Sequence, residues 1–378
     1  MFKDIVTLLP FFVCLFWTAV MFIDFRRSNL PAKILTIFMG VSTILYFSHS
    51  LYFYGYIHAY SIIDPFYILV SLSVYPIFYI YIKTLTNKSE LSIAYFYFFI
   101  PAITLSILSF ISHLFFDYLI DVVGKMSRLI FVIQVFWCVV YGGGYIRDYH
   151  KKIREYYSST ESRELGWLNR MLFLLFFTGI ISVTAGLIGR EYFSNSPVLL
   201  MLPSILFSTM LFYIGHTGYL QKFSVVDFNF DSAEKGEIGL YLSIDNHNKA
   251  SGEETIESLR ITQEKTREKL QKELIILFEQ KQIFRRTDLR ITDVSVELGS
   301  NRSYVSAVVN MFYNTNFSDF VNHYRVEYAK ILLLSEENHI LDYVADKSGF
   351  ASVNSLLRAF RKETGTTPGQ FRKKRIEK

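Results

Sequence analysis

Apolar and polar positions divide this chain into two regimes. From residue 5 to about 220, apolar residues run in long stretches broken by short polar turns; beyond that they recur three and four apart, the spacing of helices with one buried stripe. A membrane-spanning helix needs about 20 mostly apolar residues. Seven stretches meet that length: 5–24, 34–55, 65–83, 93–116, 129–146, 168–189 and 197–220. Pro76 and Pro101 fall inside spans, where neighbouring groups can satisfy the carbonyl that proline frees. Residues 223–264 show little periodicity at first, and Asp245-Asn246-His247-Asn248 and Ser251-Gly252 read as loop. A polar helical pattern starts at Glu253 and becomes amphipathic at Leu270, Leu274, Ile275, Leu277 and Phe278. The pattern predicts an all-α protein. Residues 1–222 form a polytopic helical membrane domain of about seven spans, 223–264 a polar acidic linker, and 265–378 a soluble domain.

The soluble region contains an internal repeat. Ser295 and Gly299 stand four apart, as do Ala345 and Gly349, fifty positions later. In a helix-turn-helix, a small residue lets the first helix cross close to the second, and a glycine takes the left-handed turn at no steric cost. The second helix then buries one stripe and turns the other toward DNA. In the first copy Val305, Val308 and Val309 form the buried stripe, Asn301 caps the helix, and Arg302, Ser303, Ser306 and Ala307 face outward. In the second, Leu356 and Phe360 are buried, Ser352 caps, and Val353, Asn354, Ser355 and Arg358 face outward. Arg358 has the fork geometry to hold a guanine edge and Asn354 the amide to hold adenine. One long amphipathic helix from Phe317 to about Leu334 joins the copies, with Phe320, Val321, Tyr324, Ala329, Leu332 and Leu333 on its apolar face.

These residues resemble the DNA-binding domain of AraC-type (AraC/XylS) transcription regulators over about 265–375. The resemblance is carried by Ala345, Gly349-Phe350, Ser352, Leu356, Arg358, Phe360-Arg361, Gly365, Thr367-Pro368 and Phe371-Arg372, with Asn322, Tyr324-Arg325-Val326 and Ala329 in the joining helix. It implies two recognition helices in successive major grooves, with Ser303, Ser306, Ala307, Asn354, Ser355 and Arg358 at the base-reading positions. Ala307 replaces a usual arginine or glutamine there, Ile340 a usual helix-starting Ser or Thr, and Ser295 a usual alanine. The whole arrangement is similar to membrane-embedded bacterial AraC-type regulators, which implies transcriptional control from the inner membrane.

Charge adds a direction. Residues 224–264 carry 3 basic against 9 acidic residues, and 265–378 carry 20 against 14, so an acidic linker leads into a basic domain suited to a polyanion. Basic residues also bias alternate loops: Arg26, Arg27 and Lys33; Lys83 and Lys88; Arg147, Lys151, Lys152, Arg154 and Arg163. Lys125 and Arg128 near span five, and Arg190, are sparse by comparison. This places the N-terminus outside the cytoplasmic membrane and the C-terminal domain in the cytoplasm. The first span lacks a small-residue cleavage site and reads as a retained helix.

Composition narrows the function. The 36 Phe and 26 Tyr suit a protein with aromatic interfacial zones. Cys14 and Cys138 both lie in spans and predict neither a disulfide framework nor a zinc site. No Gly-rich phosphate loop, metal-spaced His/Cys set or Ser/His/Asp arrangement appears, so no enzyme and no cofactor is predicted. His49 and His216 lie near span ends; Asp64, Asp117, Asp121, Arg190 and Glu191 lie in or near outer loops, as pocket residues or as solvated loop charge. Gly142-Gly143-Gly144 offers a close helix approach or a hinge in span five. The expected partners are double-stranded DNA, the lipid bilayer and a small-molecule or envelope signal, and the polar helix from Glu253 leaves room for a homodimer. A transporter with its own transcriptional output, and spans that only tether, are the alternatives.

Overall fold

The computed structural model describes residues 2–52, 60–86, 92–188, 197–221 and 253–376, except 336 and 338. Lys88, Arg190, Glu191 and the expected loop around Asp245 lie outside the described residues. The described residues of Met1–Tyr149 and Leu165–Phe228 form one compact unit; those of His150–Glu164 and Asn229–Lys378 form the other. The segment between the fifth and sixth apolar helices, predicted as part of the first domain, belongs with the second unit.

The first unit is built from α1 (Phe2–Ile23), α2 (Leu30–Leu51), α3 (Tyr60–Thr86), α4 (Ile100–Phe115), the greater part of α5 (Ile120–Tyr156), α6 (Gly166–Ile188) and α7 (Pro197–Leu220). Among the described residues, six helical stretches are long and apolar enough to cross a membrane, by length and composition. The seventh expected span is the helix α7; the side chains of its first four residues are not described, and it is not among the six. Helix α5 is 37 residues long, far beyond the predicted 129–146. Neither Gly142–Gly144 nor the charged run after it interrupts the helix, because Arg, Lys and Glu are good helix formers and no proline intervenes. Helix α2 begins four residues early, where Asn29 accepts a hydrogen bond from the Ala32 amide and Pro31 fits the first turn.

Apolar side chains occupy both the interior and the exterior of this unit. Phe38, Leu72, Phe78 and Cys138 are fully buried, while Phe12, Phe16, Phe110, Phe136 and Phe173 are exposed. Such an exterior would be an aggregation liability in water and is compatible with a membrane. Two of the buried hydroxyls return to their own helices: Thr36 to the Ala32 carbonyl and Thr84 to the Ile80 carbonyl. Asp64 sits near the start of α3; Tyr52 donates to it, and His113 Nε2 lies 3.2 Å from its carboxylate. Asp121 pairs with exposed Lys125 one turn on.

The second unit holds α8 (Glu253–Glu279), α9 (Ile291–Glu297), α10 (Arg302–Tyr313), α11 (Phe317–Leu333), α12 (Leu341–Lys347), α13 (Val353–Thr364) and α14 (Pro368–Ile376). It has two cores. Leu274 and Phe278 of α8 pack with Val294, Val305, Val308, Phe317, Phe320 and Val321 in the first. Val326, Ala329 and Leu333 pack with Val344, Phe350, Leu356 and Phe360 in the second. Helix α11 thus gives its first half to one core and its second half to the other, and this fixes the two copies to one rod.

Candidate nucleic-acid interface

Each recognition helix is set by a short sequence device. Before α10, Gly299 has φ +57° and Asn301 accepts from the Tyr304 amide at 2.9 Å. Before α13, Gly349 has φ +81°, and the Ser352 hydroxyl accepts from the Ser355 amide at 3.1 Å while the Ser355 hydroxyl accepts from the Ser352 amide at 3.0 Å. Ser295 and Ala345, the small residues of the first helices, are both buried. Ile340 begins α12 without a side-chain cap, as its apolar side chain dictates. Helix α9 instead uses Asp293, which accepts from the Arg290 amide at 2.9 Å.

The outward faces differ in part from the prediction. Val353 is not outward: it packs against the second core, because the first turn of α13 must cover Leu356. On α13, Asn354 and Arg358 are exposed, whereas Ser355 is half-buried with its hydroxyl engaged in the cap. On α10, Ser303 is exposed; Arg302, Ser306 and Ala307 are half-buried, and Asn310 donates to the Ser306 hydroxyl at 3.3 Å. Around α13, Lys362 pairs with Asp319 at 2.7 Å and His323 Nδ1 lies 2.6 Å from Glu363, which clamps this helix to α11.

Arg325, named in the sequence only as part of a resemblance, is 1% exposed. Its Nε donates to the Phe284 carbonyl at 2.8 Å, and its Nη2 to the Arg286 carbonyl at 2.7 Å and the Ser158 hydroxyl at 3.0 Å. Burial lowers its pKa from the usual arginine value, yet guanidinium stays charged in this setting, held by carbonyl acceptors. Arg325 therefore ties the turn before α9, the joining helix and the 150–164 segment together.

That segment is the part of the site that sequence reasoning missed. Glu161 accepts from the Ser352 hydroxyl at 2.8 Å and is ion-paired with Arg358. Tyr157 forms an antiparallel bridge with Arg290, and the Ser158 amide donates to the Leu289 carbonyl at 3.0 Å. Periodicity gives no sign of this, since Glu161 stands in a short polar turn nearly two hundred residues before its partners.

A family model for a helix-turn-helix domain matches residues 282–374. An uncharacterized HTH-type transcriptional regulator of Staphylococcus aureus is 33% identical over 85 residues, 22% of this chain. The HTH-type transcriptional regulator YtdP of Bacillus subtilis is 27% identical over 89 residues, 24% of this chain. The chain spans only 11% of the length of either relative. Among solved structures, the C-terminal domain of AraT, a response regulator from Geobacillus stearothermophilus, is 25% identical; the match covers 30% of this chain and 84% of that one, with a TM-score of 0.24. Residues 282–374 thus form a DNA-binding helix-turn-helix domain of the AraC type.

Proposed function

We propose that this chain is a transcription regulator anchored in the bacterial inner membrane. Its C-terminal unit reads double-stranded DNA through α10 and α13, with Arg302, Ser303, Ser306, Ala307, Asn354, Ser355 and Arg358 as the contact set, and its apolar helices receive a signal. The observation that carries this reading is the union, on one chain, of an AraC-type helix-turn-helix domain and six helices long and apolar enough to cross a membrane. The basic loops favour an outer N-terminus and a cytoplasmic DNA-binding domain. A reporter fused after Lys222 is expected to be active only in its cytoplasmic form; periplasmic phosphatase activity there would refute the topology. Full-length protein is expected to bind duplex DNA with an affinity that falls steeply with salt, as phosphate neutralisation releases counterions; salt-insensitive binding sinks the DNA reading.

A cavity favours sensing over a bare tether. Within the first unit a space of about 160 Å³ is lined by residues that include Phe38, Ser42, Tyr46, Ser71, Thr178 and Phe207. Ser42 is 1% exposed, and its hydroxyl makes no hydrogen bond among the described residues. A mostly apolar wall with a buried unsatisfied hydroxyl suits a small apolar molecule carrying a hydrogen-bonding group. Such a ligand acts by binding one arrangement of the helices more tightly than another. Replacing residues 1–149 and 165–196 with unrelated apolar helices should abolish the response of target genes to growth conditions; an unchanged response would reduce the spans to a tether.

A further inference from the structure

We infer that residues 156–161 form an intramolecular lock on the DNA-reading surface, with the Glu161 carboxylate holding Arg358 and Ser352 in the place of DNA. The inference rests on the DNA-binding reading and names how that site is regulated. Three observations converge on it.

The first is occupancy. Arg358 is the side chain of α13 best suited to a guanine edge, which needs both of its terminal nitrogens. In the structure one of them, Nη2, is committed to Glu161 Oε1, and the other carboxylate oxygen takes the Ser352 hydroxyl at the start of the same helix. A carboxylate presents a pair of acceptors, as a phosphate does with two oxygens and a guanine edge with O6 and N7.

The second is reach. The segment touches both copies of the motif and the rod between them. Tyr156 lies 6.0 Å beneath the Arg302 guanidinium of α10, and its hydroxyl is 3.4 Å from that of Thr292 in α9. Ser158 receives a hydrogen bond from Ser318 on α11 at 3.2 Å and one from Arg325 at 3.0 Å. Two recognition helices cannot enter major grooves while one strap covers residues of both.

The third is construction. Tyr157 and Ser158 are 5% and 1% exposed, so the strap is packed into the unit. Arg163 stacks on Tyr157 at 4.0 Å and donates to the Ser159 carbonyl at 2.9 Å, and Thr160 donates to Glu164 at 2.9 Å. The strap follows directly on α5 and precedes α6, so a rearrangement of those helices pulls on both of its ends. Signal reception and release of the DNA-reading face then become one event. Apparent affinity for DNA is the intrinsic affinity scaled by the unlocked fraction.

The test uses full-length protein in lipid nanodiscs and a labelled duplex selected from a random-sequence library on that same protein. Glu161→Gln keeps the shape and removes the charge, and it is expected to tighten DNA binding about fivefold, the scale of one half-exposed ion pair. Glu161→Arg should tighten it further, by repelling Arg358. Hydrogen exchange should rise in residues 156–161 and fall in α13 when DNA is added to the parent protein. Equal affinity of parent and Glu161→Gln, or unchanged protection of 156–161 in the DNA complex, overturns the lock and leaves the DNA-binding reading standing. No binding by either protein overturns both.

Discussion

The two helix-turn-helix copies share a frame and differ in face. Each has a buried small residue, a left-handed glycine, a side-chain cap and a buried stripe. The first turns Arg302, Ser303, Ser306 and Ala307 outward or half outward, with Ser303 the exposed one of the four; the second turns out Asn354 and Arg358. Short hydroxyls and a methyl group suit phosphate contact and close approach, whereas an amide and a guanidinium suit base edges. The frame also has unequal tolerance. A Cβ at Gly299 would meet nothing within 4 Å, while one at Gly349 would lie 2.6 Å from the Phe284 carbonyl oxygen and 2.7 Å from the Arg285 backbone. The second copy is wedged against the turn that precedes the first, and the lock closes over that more heavily equipped copy.

The largest effect expected is in the cores. Phe360→Ala should cost about 3–5 kcal/mol by emptying the second core. Hydrogen exchange should then rise in α12 to α14 and stay low in α8 to α10; an equal rise in both would break the two-core description. Next come the turns. A side chain in the left-handed region costs about 1–2 kcal/mol, so Gly299→Ala should cost about that much in urea unfolding. Gly349→Ala should cost about 3 kcal/mol, because backbone at 2.6 Å cannot move aside cheaply. Equal costs would mean that the close approach relaxes freely.

The smallest effects distinguish the faces. Arg358→Ala should weaken binding at a selected site by about 1–3 kcal/mol and relax its sequence preference at one base pair. Ser306→Ala should change affinity by less than about 0.5 kcal/mol. Competition assays with single-base variants of the site would compare the two. A uniform loss on all DNA from Arg358→Ala would make it a phosphate contact and erase the distinction between the copies.

Local pattern carried much of this structure. The apolar runs marked the long helices described in the first unit, six of them apolar enough to cross a membrane, because length and hydropathy are properties of a contiguous stretch. The joining helix and both recognition helices followed from three-and-four spacing, from Asn301 and Ser352 as caps, and from glycines where only a left-handed turn fits. The ends of α5 were not legible, since its charged continuation is as helical as its apolar centre and no proline stops it. Val353 was misread because it sits in the first turn of α13, where the neighbouring core, and not the helix's own period, decides which side is covered.

By itself the sequence determined most of the helices, their repeat and the candidates on α10 and α13 for facing DNA, all of which depend on neighbours within a few turns. Tertiary structure alone decided that Arg325 would be a buried tie, that Asp64 would meet His113, and that Glu161 would close on Arg358. Those pairings join residues 39 to 197 positions apart. A charge written in the sequence is equally at home in water, in an ion pair or on DNA, and only the packing of distant segments chooses among them.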